Sequence, residues 1–229
     1  SIRVTASRFV NNGSEGLDAS IAQPVGITAG SASYSVFVSG CNFDGNGLDG
    51  LLIDQEHELA AGWTGNIVVR DCSAKHNALA GVHVDADAPG EFLLHRVRST
   101  ANGGDGVLVS SEIAGGLVTV SASYLAGNLG AGIATSLGNK RLLATHCIFA
   151  GNQTGGFVCN ATVEGAAANC IAHLQATPFT NVRQLGDSVT SAASSVVFSN
   201  VPSAFERVAT NSNGTLTMAA ASTIATGAT

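Results

Sequence analysis

Carboxylates and histidines crowd into two short stretches of this sequence, "DQEHELAAGW" from Asp54 and "DADAPGE" from Asp85. Asp54, Glu56, His57, Glu58, Asp85 and Asp87 lie within them, and His83 stands two residues before the second. Oxygen-rich groups of this kind suit a hard cation such as Ca2+. Separated carboxylates can also act as acid and base on a glycosidic bond, and a nearby histidine can carry a proton close to neutral pH. His57, His83, Asp54 and Asp85 are therefore candidate catalytic residues, and Asp54, Asp85 and Asp87 are candidate Ca2+ ligands. Glu56, Glu58 and Asp87 are candidate glycan contacts, and Trp63, which closes the first stretch, is a candidate stacking surface for a sugar ring. The bland alternative for all of them is a solvated acidic loop.

The elements that must position these groups show in a repeat. Asparagine, three residues, glycine and then an aliphatic residue or Phe recur with the asparagine at positions 12, 46, 77, 102, 128 and 152. The successive steps are 34, 31, 25, 26 and 24 residues. Periods in this range indicate a solenoid whose coils stack on one another. Upstream of each asparagine is an alternating stretch such as "VFVSGC" or "IVVRDC", and after each glycine comes a second one, such as "LLID" or "VHVD". Period-two alternation means strand with one face buried. Stacked asparagines can bond coil to coil through their side-chain amides. They also tolerate left-handed turn geometry, and the glycine is expected to supply a φ that other residues reach only with strain. Five positions before the asparagine stands a column of small side chains, Ser7, Cys41, Cys72, Val97, Ser123 and Cys147. Cys170 opens a seventh coil with Gln175 in the asparagine slot. Stacked cysteines Cys41/Cys72 and Cys147/Cys170 are expected to stay free thiols, because in-register Cβ atoms lie farther apart than the favoured ~3.8 Å.

At the asparagine ladder and the strands after each glycine, over about residues 1–180, the chain resembles the pectate-lyase-like family of right-handed parallel β-helix proteins. The resemblance implies an all-β, single-stranded solenoid of about seven or more coils across residues 1–185. Residues 186–229 would form a C-terminal cap, further irregular coils or a linker. It says less about activity, since the fold hosts lyases, hydrolases, epimerases, tailspikes and inert stalks. The D-D, G-H-G and R-x-K motifs of β-helix polygalacturonases do not occur. "IDQEHE" at 53–58 resembles the D-P-H-[DE] element of alginate epimerases only loosely, with one extra residue and no proline. A lyase would need a cation beside the carboxylates, for which Arg70, Lys75, Arg96 and Arg98 are the candidates.

Within each strand after the glycine, the first and third residues should face inward and the second and fourth outward. That places Asp54 and Asp85 as outward neighbours on adjacent coils, with His83 beside them, where like charges repel unless a cation or proton intervenes. The loops of the first two coils are the longest of the repeat and should wall a shallow groove.

The 229 residues are 45% hydrophobic but only 11% charged, with a formal net charge of −6. That balance argues against a nucleic-acid partner, which needs a basic stripe. No apolar run approaches the ~18 residues that cross a bilayer, and no basic segment followed by an apolar one is visible as a signal peptide. The sequence opens inside a strand-like pattern, "SIRVTASRF", as expected if other domains of a longer chain adjoin it. Low charge density and repetitive β structure point to an extracellular location or a cell or virion surface. The leading expectation is a carbohydrate-interacting β-helix, a polysaccharide-processing fragment of lyase, hydrolase or epimerase type. The alternative is a stalk, adhesin or tailspike segment without catalytic activity.

Overall fold

The computed structural model describes residues 1–21, 33–55, 64–86, 89–110, 116–135, 141–159 and 165–173, and the strand segments 179–180, 182–185, 187–192, 195–200, 207–209 and 224–227. Each coil of the repeat contributes one short strand to each of three sheets. The second coil supplies Ser33–Ser39, Asn42–Asp44 and Leu51–Asp54, and the third supplies Thr64–Arg70, Ser73–Lys75 and Val82–Asp85. Gly90–His95, Arg98–Thr100 and Val107–Ser110 make the fourth. From Ile2–Thr5 to Phe179–Thr180, seven coils follow one another, and every pairing between them is parallel. Parallel crossovers of this kind are right-handed because of strand twist, so the architecture is a right-handed parallel β-helix. Beyond it the pairing changes: Val182–Leu185 runs antiparallel to Arg207–Ala209, and Asp187–Ala192 antiparallel to Ser195–Asn200. Among the described residues there is no helix long and apolar enough to cross a membrane.

Alternation decides what the coils bury. Val36, Ile67, Phe92, Val118 and Leu142 are stacked in register and buried on the first sheet. Leu51, Val82, Val107, Ile133 and Phe157 do the same on the third. Phe9 and Phe43, from the second sheet, stack inside with ring centroids 5.3 Å apart. Core packing between columns, each fixed to strand spacing, makes the coil register hard to slip.

The stretch upstream of each asparagine reads in the sequence as one strand but is two. A single residue with positive φ breaks it in every coil: Ala6, Gly40, Asp71, Arg96, Ala122, His146 and Asn169. The N–H of each of the first six still donates to the next coil, as from Asp71 to the His95 carbonyl at 3.0 Å. The bend therefore turns the chain from the first sheet into the second without losing a coil-to-coil bond.

The asparagine ladder is continuous. Nδ2 of Asn12, Asn46, Asn77, Asn102 and Asn128 donates to Oδ1 of the asparagine one coil on, at 2.8–3.0 Å. The same Oδ1 also accepts the backbone N–H of the preceding coil's asparagine, at 3.1 Å in every case. The second Nδ2 proton returns to a carbonyl of the coil before, such as Phe43 for Asn77 at 3.3 Å. Each interior asparagine thus ties three coils together at a corner where strand pairing lapses.

Two expectations about this turn change. The left-handed residue is not the asparagine but the one before it: Asn11, Gly45, His76, Ala101, Gly127 and Gly151. The glycine four positions after the asparagine is absent from the positive-φ positions, and it is required for space. A Cβ on Gly50 would lie 2.6 Å from the Gly81 carbonyl oxygen and 2.7 Å from Asn77 Nδ2. On Gly106 it would meet the Gly132 oxygen at 2.6 Å and Asn128 Nδ2 at 2.9 Å. The ladder of the next coil occupies the volume a side chain would need.

All five cysteines are free and buried. Cys41, Cys72, Cys147 and Cys170 each donate to the carbonyl two residues earlier, across the bend, at 3.1–3.4 Å. Burial pushes the Cys72 thiol up to about 11 and that of Cys159 to about 12, which suppresses the reactive thiolate.

Asn77→Ala should cost about 1–3 kcal/mol for each buried partner left unmet, read as a lower melting temperature. Gly106→Ala should also destabilise, by overlap with backbone; a neutral result there would contradict the steric account of the glycine. Alkylation of the native protein should be slow at every thiol, and alkylation of the unfolded, unreduced chain should add five labels; fewer would mean a disulfide that this packing does not allow.

Candidate functional site

The outer face of the third sheet is where the sequence places its chemistry. In the strands Leu51–Asp54, Val82–Asp85 and Val107–Ser110, inner residues are buried and outer ones half-buried in strict alternation. Asp54 and Asp85 are direct partners in the parallel register, and Ser110 is the next member of that column. Adjacent strands lie about 4.8 Å apart, so two carboxylates and a hydroxyl form a short row along the axis. His83 belongs to the parallel row two residues back, between Leu52 and Leu108. The structure therefore brings together Asp54, Asp85 and His83. Glu56, His57, Glu58, Trp63 and Asp87 lie outside the described residues.

His83 is more tightly held than its sequence position suggests. Its Nδ1 sits 3.1 Å from Asp49 Oδ2, and its Nε2 sits 2.8 Å from Ser110 Oγ. Asp49 lies in the turn between Asn46 and the third-sheet strand of the coil before. Its other oxygen accepts the Ala80 N–H at 2.7 Å, which fixes the carboxylate plane. The Asp49 side chain is 8% exposed and that of His83 19%. Asp105 occupies the corresponding turn slot two coils further on and accepts the Ala131 N–H at 2.6 Å. Burial raises the Asp105 carboxyl above its usual range, while the Ala131 N–H and the charge of His83 pull it back down.

Sequence reasoning missed Asp49 and Asp105 because both read as ordinary turn residues before a glycine. The signal was their spacing: each stands three residues after a ladder asparagine, one coil before and one coil after His83. Ser110 was visible as an outward residue but not as a partner of His83.

The four basic candidates are elsewhere. Arg70 is on the first sheet, with its guanidinium 5.1 Å from the Phe37 ring centre. Lys75, on the second sheet, pairs with Asp44 at 3.2 Å. Arg96, at a bend, makes a two-point contact with Asp71 at 2.6 and 3.0 Å. Arg98, also on the second sheet, lies over Tyr124. None of the four joins the Asp54–Asp85 row. Tyr34 is buried, and its hydroxyl donates to Gln55 Oε1 at 2.6 Å, just behind Asp54. It braces the end of that strand from inside.

Stacked parallel sheets and a laddered corner define a right-handed parallel β-helix protein. Residues 1–112 match the family model described as "Right handed beta helix region". The structure repeats the same coil through Phe179–Thr180, so the chain has the right-handed parallel β-helix fold that this family model describes. No curated protein and no solved structure matched it.

The raised Asp105 has a sign that can be measured. A buried acid that holds its proton more tightly when folded contributes most stability in acid, and the contribution falls as pH rises through the ordinary aspartate range, near ~4, toward the raised value. Asp105→Asn keeps an oxygen for the Ala131 N–H and removes the charge. It should melt higher than the parent at pH 7, with the advantage shrinking as the pH is lowered through the raised value and gone by ~4. A variant that melts lower at pH 7 would show instead that attraction to His83 outweighs burial.

Proposed function

We propose that this β-helix is a glycan-binding module of an extracellular, cell or virion surface, with the outer face of the third sheet as its binding face. The observation that carries the reading is the in-register row Asp54, Asp85 and Ser110, with His83 beside it. Carboxylate and hydroxyl oxygens at a fixed spacing are suited to the hydroxyl groups of a polysaccharide lying along the axis. A rigid scaffold presents them without reorganisation, which limits the entropy lost on binding.

A Ca2+ ion fits this reading as a bridge to an acidic sugar. Ca2+ takes six to eight oxygens, and among the described residues no group of three or more metal-binding side chains is assembled. Asp54 and Asp85 would supply part of the shell, and sugar carboxylates, water and Asp87 the remainder. Glu56, Glu58 and Trp63, outside the described residues, are proposed as further glycan contacts and His57 as a proton carrier.

A second reading, a rigid stalk, is favoured by one feature: ladder and core columns run through successive coils with the same geometry. The two readings separate in a thermal-shift screen of polyuronates and neutral glycans, with and without millimolar Ca2+. A ligand of the folded state adds RT ln(1 + [L]/Kd), about 2.7 kcal/mol at a hundredfold excess over Kd. An acidic glycan with Ca2+ should raise the melting temperature, and Asp54→Asn with Asp85→Asn should remove the increase. No shift with any glycan would defeat the binding reading in favour of the stalk. A shift that survives the double substitution would move the site off this row.

A further inference from the structure

Asp49, His83 and Ser110 come from three successive coils, yet they are joined in one line: carboxylate to Nδ1 at 3.1 Å, Nε2 to hydroxyl at 2.8 Å. A carboxylate can only accept, so the contact with Asp49 keeps a His83 proton on Nδ1 and, whenever the ring is neutral, selects that tautomer. Nε2 is then a lone pair, and the hydrogen bond it makes is accepted from the Ser110 O–H. That is the division of labour that activates a serine: an orienting carboxylate, a base, and a hydroxyl within reach.

We propose that Ser110, His83 and Asp49 form a nucleophilic triad that hydrolyses acyl esters. The substrate class rests on the glycan reading above, which makes O-acylated sugars the esters presented to this face; the triad itself does not depend on it. Ser110 Oγ adds to the ester carbonyl carbon while its proton passes to His83 Nε2. The carbon–oxygen bond to the sugar breaks, and the sugar oxygen takes the proton from His83. Water then attacks the acyl-Ser110 ester, giving its proton to the same nitrogen and on to Ser110, and the carboxylic acid leaves. The sum is ester plus water to acid plus alcohol, with no other reactant.

The placement suits this chemistry. Ser110 ends its strand on the outer face, half-buried, where a substrate can approach. Leu52 and Leu108 flank His83 in register on either side, and its two hydrogen bonds hold the ring between Asp49 and Ser110. Asp49 touches no reacting atom and acts as a positioning residue, itself anchored by the Ala80 N–H. The groups around His83 also include Asp105, whose carboxylate is committed to the Ala131 N–H, and Asp85 two residues along its own strand.

The whole chain, treated with a fluorophosphonate that modifies activated serines, gives a direct test by peptide mass spectrometry. Ser110 should be modified at least about a hundredfold faster than Ser20, an exposed serine bonded to Asp18 at 2.6 Å, in line with the gain from a positioned base. His83→Gln should abolish that preference, and p-nitrophenyl acetate turnover should fall with it. Asp49→Asn should move the imidazole 15N signals of His83 away from the Nδ1–H tautomer, a change that loss of packing alone does not produce. Modification of Ser110 no faster than Ser20, or unchanged in His83→Gln, overturns the triad whatever the variants do to folding. A reactive Ser110 on a protein that binds no polysaccharide would uphold the triad and sink only the glycan reading. Polysaccharide binding with an inert Ser110 would do the reverse.

Discussion

The amide groups of Asn46, Asn77, Asn102 and Asn128 each bond to the coil before and the coil after, and the rest of the solenoid is arranged around that constraint. Each carries two donor protons and two acceptor lone pairs. The ladder uses them on the next asparagine, on a carbonyl of the preceding coil, and on the amide and backbone N–H of the preceding asparagine. Glutamine could not reach the same partners with one more methylene, and an apolar residue would leave backbone N–H groups buried and unmet. The ladder also forbids a side chain at Gly50, Gly81, Gly106 and Gly132, because each would collide with the neighbouring amide or carbonyl. Immediately after Gly50, Gly81 and Gly106 begin strands of the third sheet. The position of Asp54, Asp85, His83 and Ser110, two to four residues beyond those glycines, is therefore set by a hydrogen-bonded column inside the molecule.

How much of this was legible in the sequence depends on range. The asparagine spacing, the inward and outward alternation after each glycine and the Asp54–Asp85 pairing could all be read, because each repeats at a fixed offset within one coil. The bend that splits "IRVTASRF" could not. Its left-handed positions hold Ala, Asp, Arg, His and Asn as well as Gly, so no residue type marks them; what sustains them is the coil-to-coil bond made by their N–H groups. The glycine was assigned to the right place for the wrong reason, since a close approach from the next coil leaves no trace in the turn's own residues.

The site shows the same limit. Asp49, His83 and Ser110 are 34 and 27 residues apart and hold different offsets from their glycines, one before, two after and four after. A diagonal across three coils appears only once the coils are stacked, because loops of unequal length hide the common register. Glu56, His57, Glu58 and Trp63 of the first acidic stretch lie outside the described residues, and the residues that the strands hold in place are the ones whose geometry supports chemistry. This fits the general division in solenoids between a rigid face and the loops that project from it.

Hydrogen exchange tests the central claim, that a buried amide column fixes the coils and through them the outer face. The backbone N–H groups of Asn46, Asn77, Asn102 and Asn128 donate to side-chain oxygens rather than to a strand. In an ordinary turn such protons would exchange quickly. Resolved by NMR, these four should be among the slowest in the molecule, opening only with the core strands, and their side-chain NH2 protons should be protected with them. Exchange as fast as that of the Gly13 or Ser14 amides, in the exposed turn of the first coil, would contradict the account, because the column would then be an ornament on the coils rather than their tie.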